Sequence, residues 1–127
     1  MATISEDYVS FETAKLLKDK GFDTAVRSYY QKIDDDITYH IEDFRNWNVY
    51  DMWYSMPTLQ MAMKWLREVY YIHIAVDRGP KGYHLSIQTI PLGVVKYITR
   101  EITGNTYVNS YEEAIEAAIS YCLEKLI

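Results

Sequence analysis

The chain has 127 residues, 49% of them hydrophobic and 24% charged, with a formal net charge of −5. That length buries roughly two-thirds of the unfolded surface in one core, and the scarcity of Gly and Pro excludes a disordered chain. A lone cysteine, Cys122, excludes an internal disulfide, and the acidic balance disfavours generic nucleic-acid binding, which relies on Lys and Arg displacing phosphate counterions.

Taken in chain order, Ser10 caps a first amphipathic helix running to Lys20, and Gly21 with Phe22 supplies a Schellman stop in which Phe22 packs back on Leu17. Thr24 to Lys32 and Ile37 to Phe44 carry the β-branched and aromatic content of strands and predict a hairpin. Its turn, Asp34 to Asp36, reads as solvated rather than as a metal loop, because the Gly and later Glu of a calcium loop are missing. In the second strand the alternation predicts Ile37, Tyr39 and Ile41 toward the core and Thr38, His40 and Glu42 toward water.

Asn46 to Tyr54 follows, with Trp47, Tyr50, Trp53 and Tyr54 in a short run. Rings with a polar tip suit both core edges and recognition surfaces. Read as a strand, the run sends Trp47, Val49 and Trp53 one way and Tyr50, Met52 and Tyr54 the other; which set points outward stays open at this stage. Pro57 opens a helix to about Tyr70 whose apolar stripe is Leu59, Ala62, Met63, Leu66, Val69 and Tyr70. Trp65 and Met61 fall off that stripe and join the four aromatic residues as candidate anchors for a protein contact.

Tyr71 to Asp77 and Tyr83 to Gln88 predict a second hairpin around Arg78 to Gly82, with Val76 opposite Tyr83, Ile74 opposite Leu85 and Ile72 opposite Ile87. In that register His73 and His84 are diagonal neighbours on the outer face, an alternative ligand face. No paired spacing such as His-x-x-x-His supports a metal site there. A further strand from Val94 to Ile102, turning at Thr103, Gly104 and Asn105, leads to a last helix with a capping box of Ser110 and Glu113 and the stripe Tyr111, Ala114, Ile115, Ala118, Ile119, Cys122 and Leu126. Cys122 reads as core, with no base at helical spacing to activate it.

The whole predicts a single α+β domain, residues 1–127, in two layers: three helices packed on one face of a mostly antiparallel sheet of about five strands. The order helix, three strands, helix after Pro57 is also that of a double-stranded RNA-binding domain. Glu112, Glu113 and Glu116 stand where such a domain meets phosphate with basic residues, so that reading fails on charge.

Three stretches, Val9 to Phe22, Pro57 to Val69 (Pro-Thr-Leu-Gln-Met-Ala-Met-Lys-Trp-Leu-Arg-Glu-Val) and Tyr111 to Ile127, resemble a group of small proteins found in gut bacteria and their phages or prophages. The resemblance implies a mobile-element context and carries no activity and no catalytic residue. The sequence holds no phosphate loop, nucleophile elbow or paired-cysteine pattern, and it calls for no cofactor or metal. The expectation is a non-enzymatic protein that contacts a protein partner or forms a homo-oligomer, not nucleic acid and not a membrane. Without basic and apolar signal regions at its start, the chain is expected to be cytoplasmic.

Overall fold

Local signals set the helix ends. Ser10 Oγ accepts from Thr13 N–H at 3.2 Å and opens α1 (Phe11–Asp19), and the helix closes as predicted: Phe22 N–H reaches Leu17 O, Gly21 N–H reaches Lys18 O, and Gly21 adopts φ 86°. The computed structural model describes residues 7–89, 94–97 and 107–127. It is α+β, and its contacts divide into two compact units, Met1–Gln60 and Met61–Ile127. Strand pairing gives two separate three-stranded antiparallel sheets, in place of the expected single sheet of about five strands.

In the first unit β1 (Val26–Ile33) and β2 (Asp36–Arg45) form the predicted hairpin, with Ile33 opposite Asp36 and Asp34 at φ 54°, a left-handed position that Asp tolerates better than most residues. A short β3 (Trp53–Ser55) pairs with the other edge of β1, giving the order β2-β1-β3. The strand predicted through Trp47 does not form. A 3₁₀ turn, Trp47–Val49, takes its place and is held by Asn48: its N–H donates to Asn46 Oδ1, its side-chain amide donates to Phe22 O at 2.8 Å, and its Oδ1 accepts from Ser55 N–H at 2.8 Å.

Helix α2 (Leu59–Tyr70) starts two residues after Pro57, where Asp7 O receives Leu59 N–H at 2.9 Å and Val9 N–H donates to Pro57 O. Its buried positions are Leu59, Ala62, Met63, Trp65 and Leu66, while Val69 is exposed. The stripe is therefore rotated from the predicted one toward Trp65. The helix ends on Tyr71, which is 60% exposed at φ 57°. A bulky residue pays strain at this helix-ending position that Gly does not, so Tyr71→Gly is expected to raise stability by about 0.5–1 kcal/mol in urea unfolding. A loss of stability would mean that the Tyr71 side chain packs more than its exposure implies.

In the second unit β4 (Ile72–Gly79) and β5 (Gly82–Thr89) pair with Ile74 opposite Ile87 and Val76 opposite Leu85. The register differs by two residues from the predicted one because the connection tightens to Pro80 and Lys81 between a paired Gly79 and Gly82. An even slip preserves the faces, so Ile72, Ile74, Leu85 and Ile87 are buried together, as expected. At the turn, a Cβ on Gly79 would meet Tyr107 Cε1 at 2.8 Å and one on Gly82 would meet Val108 O at 2.7 Å. Both glycines admit the segment whose Val108 exchanges two 2.8 Å backbone bonds with Tyr83. β6 (Val94–Tyr97) pairs antiparallel with β5; the rest of the strand predicted to Ile102, and the turn at Thr103, Gly104 and Asn105, lie outside the described residues.

Helix α3 (Tyr111–Tyr121) begins on the predicted cap, with Glu113 N–H on Ser110 Oγ at 3.1 Å, and packs on β4 and β5 through Ala114, Ile115, Ala118 and Ile119. Its last turn, Cys122–Leu126, is π-helical. Leu123 is buried, and Leu126, at the end of the helix, is exposed, reversing the predicted place of Leu126.

Candidate functional site

The predicted aromatic anchors are distributed between core and surface. Trp47 is 2% exposed, and its Nε1–H donates to Val26 O at 2.7 Å. Its ring lies 4.3 Å from Tyr29 and 5.7 Å from Trp53. Tyr29 is sandwiched between Trp53 at 4.7 Å and His40 at 5.1 Å, so one face of this sheet is a cross-strand aromatic stack. Burial, then the Glu42 carboxylate to which it donates, push the Tyr29 hydroxyl up to about 12.

Tyr54, half-buried on the other face, takes the edge of Phe11 at 5.1 Å and the Lys18 ammonium at 4.7 Å. Lys18 Nζ donates to Tyr50 O and Trp53 O, both at 2.8 Å, and so pins the aromatic loop to α1. Partial burial lowers the Lys18 pKa, with Asp51 and Asp19 opposing. Trp65 is 6% exposed with Tyr70 against its ring at 5.2 Å, and Met61 is half-buried. Trp47 and Trp65 are therefore core residues, and of the anchor set Tyr50 is the most exposed, at 41%.

Ser55 closes β3 fully buried, and its Oγ has no hydrogen-bond partner among the described residues. An unsatisfied buried hydroxyl carries a desolvation penalty, so Ser55→Ala is expected to stabilise the protein by about 1 kcal/mol in urea unfolding; a comparable loss would reveal a partner for that hydroxyl.

The histidine pair separates. His73 lies opposite Gln88, and His84 lies opposite Asp77, four ladder positions away, roughly 13 Å at the rise of a strand. The two-residue register shift removes the diagonal contact. His84 Nε2 instead sits 3.8 Å from the Asp77 carboxylate and edge-on to Tyr107. Among the described residues no His, Cys, Asp and Glu group could hold a metal ion, and burial pushes the Cys122 thiol up to about 12.

The surface that sequence reasoning missed is β2. Ile37, Tyr39 and Ile41, predicted to face the core, are 46%, 66% and 56% exposed, and Phe44 is exposed beside them. The reason is coverage. On that face Phe11 of α1 reaches Tyr30 of β1 and Tyr54 of β3, while β2, one strand further out, stays open. Residue His40, predicted outward, is the half-buried one because it stacks on Tyr29.

The backbone adds a second property to the same residues. Met56 N–H donates to Ser28 O at 2.8 Å and Lys32 N–H to Met52 O at 2.9 Å, so even-numbered β1 residues turn their peptide groups toward β3. Alternation turns Tyr29, Gln31 and Ile33 toward β2, against His40, Thr38 and Asp36. The N–H and C=O groups of Ile37, Tyr39 and Ile41 then point out of the sheet, where β2 has no neighbouring strand among the described residues. A readable signal existed: charges crowd this strand and its turn, and charged side chains are typical of edge strands.

Among the described residues no helix is long and apolar enough to cross a membrane. No protein-family model matches the chain, and searches of curated proteins and of solved structures give no match either.

Proposed function

We propose that this protein is a non-enzymatic interaction module of a mobile element, and that it acts by letting another protein add a strand to the β2 edge. One observation carries the reading: Ile37, Tyr39 and Ile41 combine exposed apolar side chains in one row with peptide groups directed away from β1. Strand addition uses these two features together, main-chain hydrogen bonds for affinity and alternate side chains for specificity. The aromatic stack on the opposite face serves as the rigid backing of the strand, and Tyr50 with the exposed Val49 and Met52 forms a smaller patch in the loop that leads into β3.

A photo-reactive benzoylphenylalanine placed at position 39 or 41 is expected to crosslink to a discrete protein in cells that produce the chain. The same probe at exposed Glu12 on α1 serves as the control. Equal, diffuse labelling from both places would sink the proposal.

A further inference from the structure

We infer that the occupant of the β2 edge is a second copy of this chain, added antiparallel about a two-fold axis at His40; this rests on the strand-addition reading above, the added strand being β2 itself. The two ends of the edge differ in charge. Asp34, Asp35 and Asp36 stand together at the turn, whereas the far end carries Arg45 on β2 and Arg27 on the neighbouring β1. The carboxylates at that far end are already engaged: Glu42 accepts from the Tyr29 hydroxyl, and Asp43 accepts from Arg45 at 2.9 Å. An antiparallel copy lays its acidic turn beside these arginines, and symmetry repeats the contact at the other end. A parallel copy in register would lay acid on acid.

The peptide groups restrict the register. Outward groups of Ile37, Tyr39 and Ile41 meet their counterparts only where odd residues face odd residues. Centred on Tyr39, the pair joins Ile37 to Ile41 of the second copy but sets Asp36 against its Glu42 and Asp35 against its Asp43. Centred on Ile41, it sets Tyr39 against Asp43 and leaves Ile41 facing itself as the only apolar pair within the strand. Centred on His40, it sets Tyr39 against Ile41 on both sides of the axis and brings Arg45 to Asp35 in the acidic turn of the second copy. Opposite charges across a strand pair stabilise it, and like charges destabilise it. The mismatch left in this register is Ile37 against Asp43, whose carboxylate Arg45 holds. Main-chain bonds and the two Tyr–Ile pairs hold the copies together, and charge selects the register.

Light scattering on the full chain is expected to show a concentration-dependent dimer that Tyr39→Pro weakens by at least about tenfold. His40→Cys is expected to give a disulfide-linked dimer on mild oxidation, because Cα atoms of a non-hydrogen-bonded pair approach to about 4.5 Å, within the span of a disulfide. Tyr39→Cys should link at least about tenfold more slowly, and the native Cys122 is buried. Asp35→Arg and Arg45→Asp, circular dichroism confirming each fold, put like charges at both ends and should each dimerise about tenfold more weakly. Mixed in equal amounts, these two variants restore opposite charges at both ends and should pair with each other.

A dimer that links through Tyr39→Cys and not through His40→Cys would overturn the inference, since acid then faces acid. A chain that stays monomeric at every concentration while its photo-reactive probe at position 39 captures a different protein would overturn the second copy and leave the edge reading standing. A dimer indifferent to Tyr39→Pro, or a monomer whose probe captures nothing, would overturn both.

Discussion

Replacing Trp47 with alanine is expected to destabilise the protein by about 3–5 kcal/mol, the range for removing a large buried aromatic side chain. The indole packs against both Tyr29 and Trp53, so its loss opens a cavity beside the aromatic stack. Its N–H also satisfies Val26 O, beside the register shift between Val26 and Ser28. Trp47→Phe keeps an aromatic ring in place and removes that bond with only part of the buried ring volume, for an expected cost of about 1–2 kcal/mol. Urea midpoints for the two variants separate packing from hydrogen bonding. An alanine cost below about 1 kcal/mol would show that the ring is not packed.

A pair of proline substitutions tests the polarity of β2. Tyr39→Pro removes an N–H that points away from β1 and a side chain that is largely exposed; proline is tolerated at such an edge position. The expected change in stability is small, within about 1 kcal/mol, while strand addition loses the hydrogen bond at its centre and binding falls by at least about tenfold. His40→Pro, one residue on, removes the N–H directed at Tyr29 and the imidazole stacked on that ring. Its expected cost is about 2–4 kcal/mol, with amide exchange accelerating along β1. If the two variants destabilise equally, the assignment of inward and outward peptide groups is wrong, and the interaction proposal falls with it.

What was legible in the sequence was what local chemistry decides. Ser10, Gly21 and Ser110 set helix ends through side chains and backbone within a few residues, and the predicted bonds form. The face shared by Ile72, Ile74, Leu85 and Ile87 survived a wrong register because strand side chains repeat every two residues. The two largest misses involve distant partners. Alternation in β2 separates Ile37, Tyr39 and Ile41 from Thr38 and His40 but says nothing of which face α1 covers or how far across the sheet it reaches. The 46–54 run has the residues of a strand, yet Asn48 ties it to Phe22 and Lys18 ties it to α1, contacts no window around that run contains. Trp65 was placed outside by a stripe drawn too narrow, and the histidine pair was lost to a turn shorter than its Gly and Pro content indicated.

The carboxylates of Asp34, Asp35 and Asp36 at one end of the β2 edge also govern how the protein behaves in a concentrated solution. An exposed row of Ile and Tyr on an open strand is an aggregation hazard, and acids beside it act as gatekeepers by making copies repel. That protection is electrostatic and therefore conditional. Near molar ionic strength the screening length shrinks to about 3 Å, and stacking of like edges becomes the competing fate. The colloidal stability of this chain is expected to fall as salt rises, the reverse of proteins whose association depends on attraction between surface charges.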